Sequence, residues 1–148
     1  MALAGDHVKV YMDDSGGTAR EFDAGDITSV DLGQTYDQHD VTGFGDSVHN
    51  VVQGQLRSPV TLRGFLTTTT DVGTHTVIRD VFQQGKQVTL TVQVGQNTTP
   101  TTGDPEFEGE FYVTGYRPVI QTGGAVAFEA TLMPAIGSGT GIPVWGSV

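Results

Sequence analysis

Val88-Thr89-Leu90-Thr91-Val92-Gln93-Val94 sets an aliphatic side chain at every second position and a polar one between. Successive side chains of a β-strand point to opposite faces, so this stretch makes one apolar face for a core and one polar face for solvent. It is the clearest strand in the chain, and the segments around it are read by the same rule. Upstream, Thr74 to Gln84 changes period: Val77, Ile78, Val81 and Phe82 form a narrow stripe at helical spacing, closed by Gly85, with Asp71 or Thr74 as the expected cap. Downstream, Glu106 to Arg117 returns to alternation, and Val126, Phe128, Ala130 and Leu132 give a last apolar face that Pro134 ends.

Toward the N-terminus, His7 to Met12 alternates around Val8 and Val10, Asp13-Asp14-Ser15-Gly16-Gly17 supplies turn chemistry, and Thr18 to Phe22 returns, which predicts a hairpin. Ile27 to Leu32 is a third strand. Gly33 to Asp46 is polar and without a convincing period, and reads as a long loop or the tip of an extended hairpin. Val51 to Leu66 reads as one long strand with Leu56, Val60, Leu62 and Leu66 on one face and an irregularity at Pro59. Seven strands and one short α-helix predict an all-β fold of two packed antiparallel sheets, a β-sandwich or a partly open barrel; the pattern alone does not choose between them. The 148 residues fit a single domain, with a core over residues 7–133 and a Gly/Ser-rich C-terminal arm over 134–148 that carries the only tryptophan, Trp145.

The absence of cysteine excludes thiolate metal sites, nucleophilic thiols and a disulfide framework. No apolar stretch reaches the roughly 20 residues that span a bilayer, and Met1 to Asp6 lacks a basic segment followed by an apolar one. A soluble chain made in the cytoplasm, without membrane partners, is expected. Seventeen acids against seven bases give a net charge of −10, which argues against gripping nucleic acid through phosphate contacts. Residues 1–46 hold ten of the acids and two of the bases, so the charge gathers in the first third.

Chemistry has few places to reside. Glu106, Glu108 and Glu110 alternate and would project from one strand face at about 7 Å spacing; a solvated face opposite Phe107 and Phe111 explains them better than a paired-carboxylate acid and base. Asp37, His39 and Asp40 are too close together for a metal site without a further ligand. Asp13 to Gly17 lacks the alternation and terminal glutamate of a calcium loop. His7, His39, His49 and His75 are scattered, and no phosphate loop or nucleophile elbow occurs. No catalytic residue, cofactor or metal is expected.

In order, length and local phrase, residues 7–133 resemble the tail tube (major tail) proteins of long-tailed, siphovirus-type bacteriophages. The resemblance is carried by Val8, Val10 and the Asp13 to Gly17 turn, by Asp40-Val41-Thr42-Gly43-Phe44-Gly45-Asp46, and by Leu56 to Leu66. It continues through the helix and the strand from Val88, then Gly109 to Tyr116 and Ala127-Phe128-Glu129-Ala130. It implies a structural virion protein, made in the host bacterial cytoplasm, whose homo-hexameric rings stack into a hollow tube. Other tail proteins would meet the tube's ends, and DNA would pass through without specific binding. Asp37, Asp40, Thr42, Gly43, Phe44, Gly45 and Asp46 are expected to contact a neighbouring ring. Asp26, Asp31, Glu106, Glu108 and Glu110 are expected to line the channel, where like charge keeps a polyanion off the wall. Trp145 is expected to dock on an adjacent subunit or on its own domain. A head decoration or head–tail joining protein would share the virion setting, and a secreted carbohydrate-binding sandwich would instead show an exposed platform among Phe107, Phe111, Tyr112, Tyr116 and Phe128.

Overall fold

The computed structural model describes residues 7–23, 25–95, 99–135 and 141–148. The elements follow in the order β1 (Val8–Asp13), β2 (Ala19–Glu21), β3 (Ile27–Asp31), β4 (Thr35–Asp40), β5 (Val51–Arg57), β6 (Val60–Phe65), α1 (Thr74–Gln84), β7 (Gln87–Val94), β8 (Pro105–Val119), β9 (Ala127–Pro134) and β10 (Val144–Ser147). Two antiparallel sheets result, and neither closes into a barrel. The larger runs β2-β1-β7-β8-β9-β6-β3 with β10 added on β8, while β4 and β5 pair only with each other.

Strand β8 organises the larger sheet. Its first half pairs with β7, Val88 against Phe111 and Val92 against Phe107, and its second half pairs with β9, Val113 against Leu132 and Val119 against Ala127. The register shifts between Val113 and Gly115. This bulge reverses the alternation, so Phe107, Phe111 and Val113 face inward before it and Tyr116 after it. The two halves of the sheet bring their apolar faces together around Val10, Met12, Val60, Leu62, Val88, Leu90, Val92, Phe107, Phe111, Phe128 and Leu132, and α1 adds Val77, Ile78 and Val81 to the same core. Each such side chain contributes about 1.5–3 kcal/mol through removal from water.

The helix begins differently from the sequence expectation. Neither Asp71 nor Thr74 caps it; Gly73 occupies the cap position without a side-chain bond, and Asp71 lies in the left-handed region at φ 68°. Thr67 substitutes: its hydroxyl accepts from the Thr74 N–H at 3.0 Å and its carbonyl accepts from the His75 N–H at 3.0 Å. The buried Thr74 hydroxyl donates to the Phe65 carbonyl at 2.7 Å, tying the helix start to the end of β6. The C-terminus does close on Gly85, left-handed at φ 62°.

Val51 to Leu66 is two strands. Ser58 and Pro59 break it, because proline cannot donate to a ladder and the chain turns out of the small sheet into the large one there. The seven expected strands become ten among the described residues: this division and the pairing of β4 and β10 account for the difference.

Candidate assembly surfaces

Gly33 to Asp46 proves to be the ascending half of an extended hairpin. Asp37 and Asp40 lie on β4 itself, opposite β5, while Thr42, Gly43, Phe44, Gly45 and Asp46 form the tip. The tip supplies its own hydrogen bonds. Val41 N donates to the Asn50 carbonyl at 2.9 Å, Asn50 N to Thr42 Oγ1 at 2.9 Å, and Gly43 N to Asp46 Oδ2 at 2.6 Å. Asp40 Oδ1 accepts from the Thr42 N–H at 2.9 Å, and bonding to Thr42 holds the Asp40 carboxyl below its ordinary pKa. The Arg57 guanidinium donates to Asp37 at 2.6 Å and lowers that carboxyl likewise. Hydrogen bonding in this segment therefore comes partly from within the subunit.

What the hairpin lacks is burial. The register shift between Tyr36 and Gln38 puts Tyr36, Val51 and Leu56 on one face with Gln38, Asp40 and Gln53, and puts Asp37, His39, Val52 and Arg57 on the other. Tyr36, Val41, Phe44, Val48, Val51 and Val52 are all exposed, Phe44 at 112%. An isolated two-stranded ribbon is marginal in water, and this run of apolar side chains outside the core makes the hairpin a candidate contact surface. At the hairpin's root, Gln34 Nε2 donates to Ser58 Oγ at 3.3 Å and to the Pro143 carbonyl at 3.1 Å. Beside this root an open cleft of about 440 Å³ is lined by Gln55, Leu56, Arg57, Ser58, Pro59, Met133 and Pro134.

The acids singled out above do not share one surface. Glu106, Glu108 and Glu110 project together from the polar face of β8 beside Gln93, Thr91 and Thr89 of β7. Glu106 accepts from Gln93 Nε2 at 2.7 Å, Glu110 from the Thr89 hydroxyl and from Gln87 Nε2 at 3.2 Å, and Glu108 is exposed. Asp31 sits on β3 at the far edge of the sheet. Asp26, just before β3, accepts from the Thr67 hydroxyl at 3.0 Å and so belongs to the helix-start network. Between these groups, Arg63 pairs with Glu129 at 3.1 Å.

Trp145 lies on its own subunit. Strand β10 pairs with β8 so that Trp145 stands opposite Phe107, with ring centroids 5.3 Å apart in an edge-on arrangement. Pro143 covers Gly109 so closely that an added Cβ would lie 2.7 Å from Pro143 Cα, and the carbonyl of Gly141, left-handed at φ +92°, accepts from the Glu110 N–H at 2.8 Å. Trp145 is still 48% exposed. Nothing in the residues of the arm foretold that it ends in a strand, although Gly109 inside an alternating strand marks a close backbone approach.

Other candidate chemistry dissolves in the geometry. Asp14 organises the β1–β2 turn by accepting from the Gly16 and Thr18 N–H groups at 2.9 Å each. Those bonds, the Thr18 one foremost, and Arg20 hold its carboxyl below the usual range. Among the described residues no group of three or more His, Cys, Asp or Glu is placed to hold a metal, and no helix is long and apolar enough to cross a membrane. Phe107, Phe111 and Phe128 are buried, so the five aromatics named for a carbohydrate platform do not form one.

No family model and no curated protein sequence matches the chain. Solved structures do. A chain of the tail of an empty gene transfer agent particle, refined with C6 symmetry, is 16% identical with a TM-score of 0.70, over 99% of both chains. The SPP1 tail tube protein is 15% identical with a TM-score of 0.72, over 99% of this chain and 80% of that one. A chain of the sheath–tube complex of an extracellular contractile injection system is 16% identical with a TM-score of 0.70, over 99% and 93%. The fold of this protein is thus the one found in tail and tube assemblies, along its whole length.

Proposed function

We propose that the protein is the repeating subunit of a bacteriophage tail tube, a structural protein whose hexameric rings stack into a hollow conduit for genome ejection. The observation that carries this reading is the β4–β5 hairpin, an ordered ribbon with its apolar side chains in solvent. The fold supplies the kind of assembly, since chains of the same fold occur in tails and tubes, one of them with sixfold symmetry. The hairpin residues Asp37, Asp40, Thr42, Gly43, Phe44, Gly45 and Asp46 then meet an adjacent ring. Glu106, Glu108 and Glu110 are the best-placed channel acids, because they share one polar sheet face; Asp26, engaged with Thr67, is the weakest. Acidic walls repel phosphate over a screening length of about 8 Å at physiological ionic strength, which lets a duplex slide rather than bind. Such a subunit is made in the host cytoplasm, incorporated into the virion tail, meets other tail proteins at the tube's ends, and has no catalytic role.

A second reading is a head–tail joining protein, a ring that does not polymerise; what favours it is a chain of the same fold in a sheath/tube terminator structure. Negative-stain electron microscopy of the purified protein separates the two. Long tubes of constant width support the tube, discrete rings support the joining protein, and a monomer at all concentrations overturns both.

A further inference from the structure

We propose that the cleft at the hairpin root is the receptor for the hairpin tip of a second copy, with Phe44 as the inserted anchor. This deepens the tube reading and rests on it. Phe44 is the most exposed apolar side chain among the described residues, yet it is not presented loosely. The bonds from Val41, Gly43, Thr42 and Asn50 fix the backbone on either side. A side chain held ready in this way loses little freedom on insertion.

The receptor has the matching character. Leu56, Pro59, Met133 and Pro134 give an apolar floor, and at about 440 Å³ the cleft is of a size that takes a bulky side chain. Met133 is 43% exposed within it, so the floor is not already covered by its own chain. Charge agrees: the tip carries Asp46, with Asp40 at the end of β4 just before it, while Arg57, with 69% of its side chain exposed beyond its bond to Asp37, stands at the cleft's rim.

The occupant must be another molecule. Gln34 at the root and Phe44 at the tip are separated by the whole of β4, about 20 Å at roughly 3.3 Å per residue, and by the turn beyond it, so a subunit does not fill its own cleft. Tip and cleft therefore lie at opposite ends of one arm. A contact between unlike patches repeats from copy to copy without self-limitation unless rotation closes it. Stacking along the arm is the assembly mode this creates.

The cysteine-free sequence makes the test direct. Full-length Gly43→Cys/Gln55→Cys protein, which keeps the Phe44 anchor and the apolar floor of the cleft, is assembled and then oxidised, with Gly43→Cys/Thr18→Cys as the control pair; a disulfide forms only where the two Cβ atoms come within about 3.5–4.5 Å. Assembly is checked by electron microscopy before oxidation. A non-reducing ladder at integer multiples of 15.6 kDa from the first protein, and none from the control beyond dimers through Gly43→Cys, establishes the tip-in-cleft contact. Tubes that form but yield no ladder overturn this inference and leave the tube reading standing. Failure of the unsubstituted protein to assemble at all overturns the reading beneath it.

Discussion

Replacing Gly109 by alanine tests whether the C-terminal arm is part of the subunit's own sheet. The new methyl carbon would lie 2.7 Å from Pro143 Cα and 3.0 Å from Pro143 Cβ and Cγ, with backbone rather than a flexible side-chain end in the way. Either the β8 backbone strains or β10 lifts away. Overpacking of this kind costs about 1–3 kcal/mol. If β10 lifts, the Trp145–Phe107 contact, itself about 0.5–1.5 kcal/mol beyond its area, goes with it. A loss near 2 kcal/mol lowers Tm by roughly 4–8 °C in a domain of this size. The assay is far-UV circular dichroism melting of unassembled protein together with emission from Trp145, the only tryptophan. A fall in Tm with emission shifting to the red, as the indole leaves Phe107 for water, is expected. An unchanged melting point and an unchanged spectrum would show that Pro143 does not sit over Gly109, and the argument for intrasubunit docking would collapse.

Shortening the hairpin by replacing residues 41–50 with Asn-Gly, which joins the paired Asp40 and Val51 through a two-residue turn, should leave the circular dichroism of the core unchanged and abolish tubes; tubes of normal length would remove the hairpin from ring stacking. Glu106→Lys, Glu108→Lys and Glu110→Lys together should make assembled tubes retain duplex DNA at low salt and release it steeply as salt rises, since each phosphate contact contributes about −0.9 to the log–log slope. Retention equal to that of unsubstituted tubes would place these residues outside the channel. Burial raises the Tyr116 hydroxyl from 10.0 to about 12, with its oxygen 2.7 Å from His75 Nδ1. Because the folded pKa lies above the unfolded one, stability from this group is intact below pH 10 and declines as pH rises toward 12; ultraviolet titration should show one late tyrosine, and Tyr116→Phe should remove it. A single phenolic transition near pH 10 for all four tyrosines would contradict the burial.

Where alternation was strong, the residues foretold the structure. Val88 to Val94, the β1–β2 hairpin with its Asp14 turn and the helix stripe ending at Gly85 all appear as the periods of two and 3.6 require. Pro59 located the break in Val51 to Leu66 but not its consequence, because a proline reports a lost donor and not the direction the chain then takes. β4 was illegible for the reason that makes it interesting. A ribbon with no core beneath it has no buried face, so its sequence carries no alternation to read.

The sequence by itself determined the all-β class, the single helix, the absence of thiol chemistry and the excess of acid, since these follow from local periodicity and composition. Only the tertiary structure decided that Asp26 and Asp31 lie away from the face that Glu106, Glu108 and Glu110 share, that Thr67 rather than Asp71 or Thr74 bonds the helix start, and that Trp145 completes its own sheet. The first and last of those depend on partners distant along the chain, and the second on the turn that returns Thr67 to Thr74. Strand order, register and the bulge at Gly115 bring them together, and these are settled by how the two halves of the sheet close over one core, which no local pattern encodes.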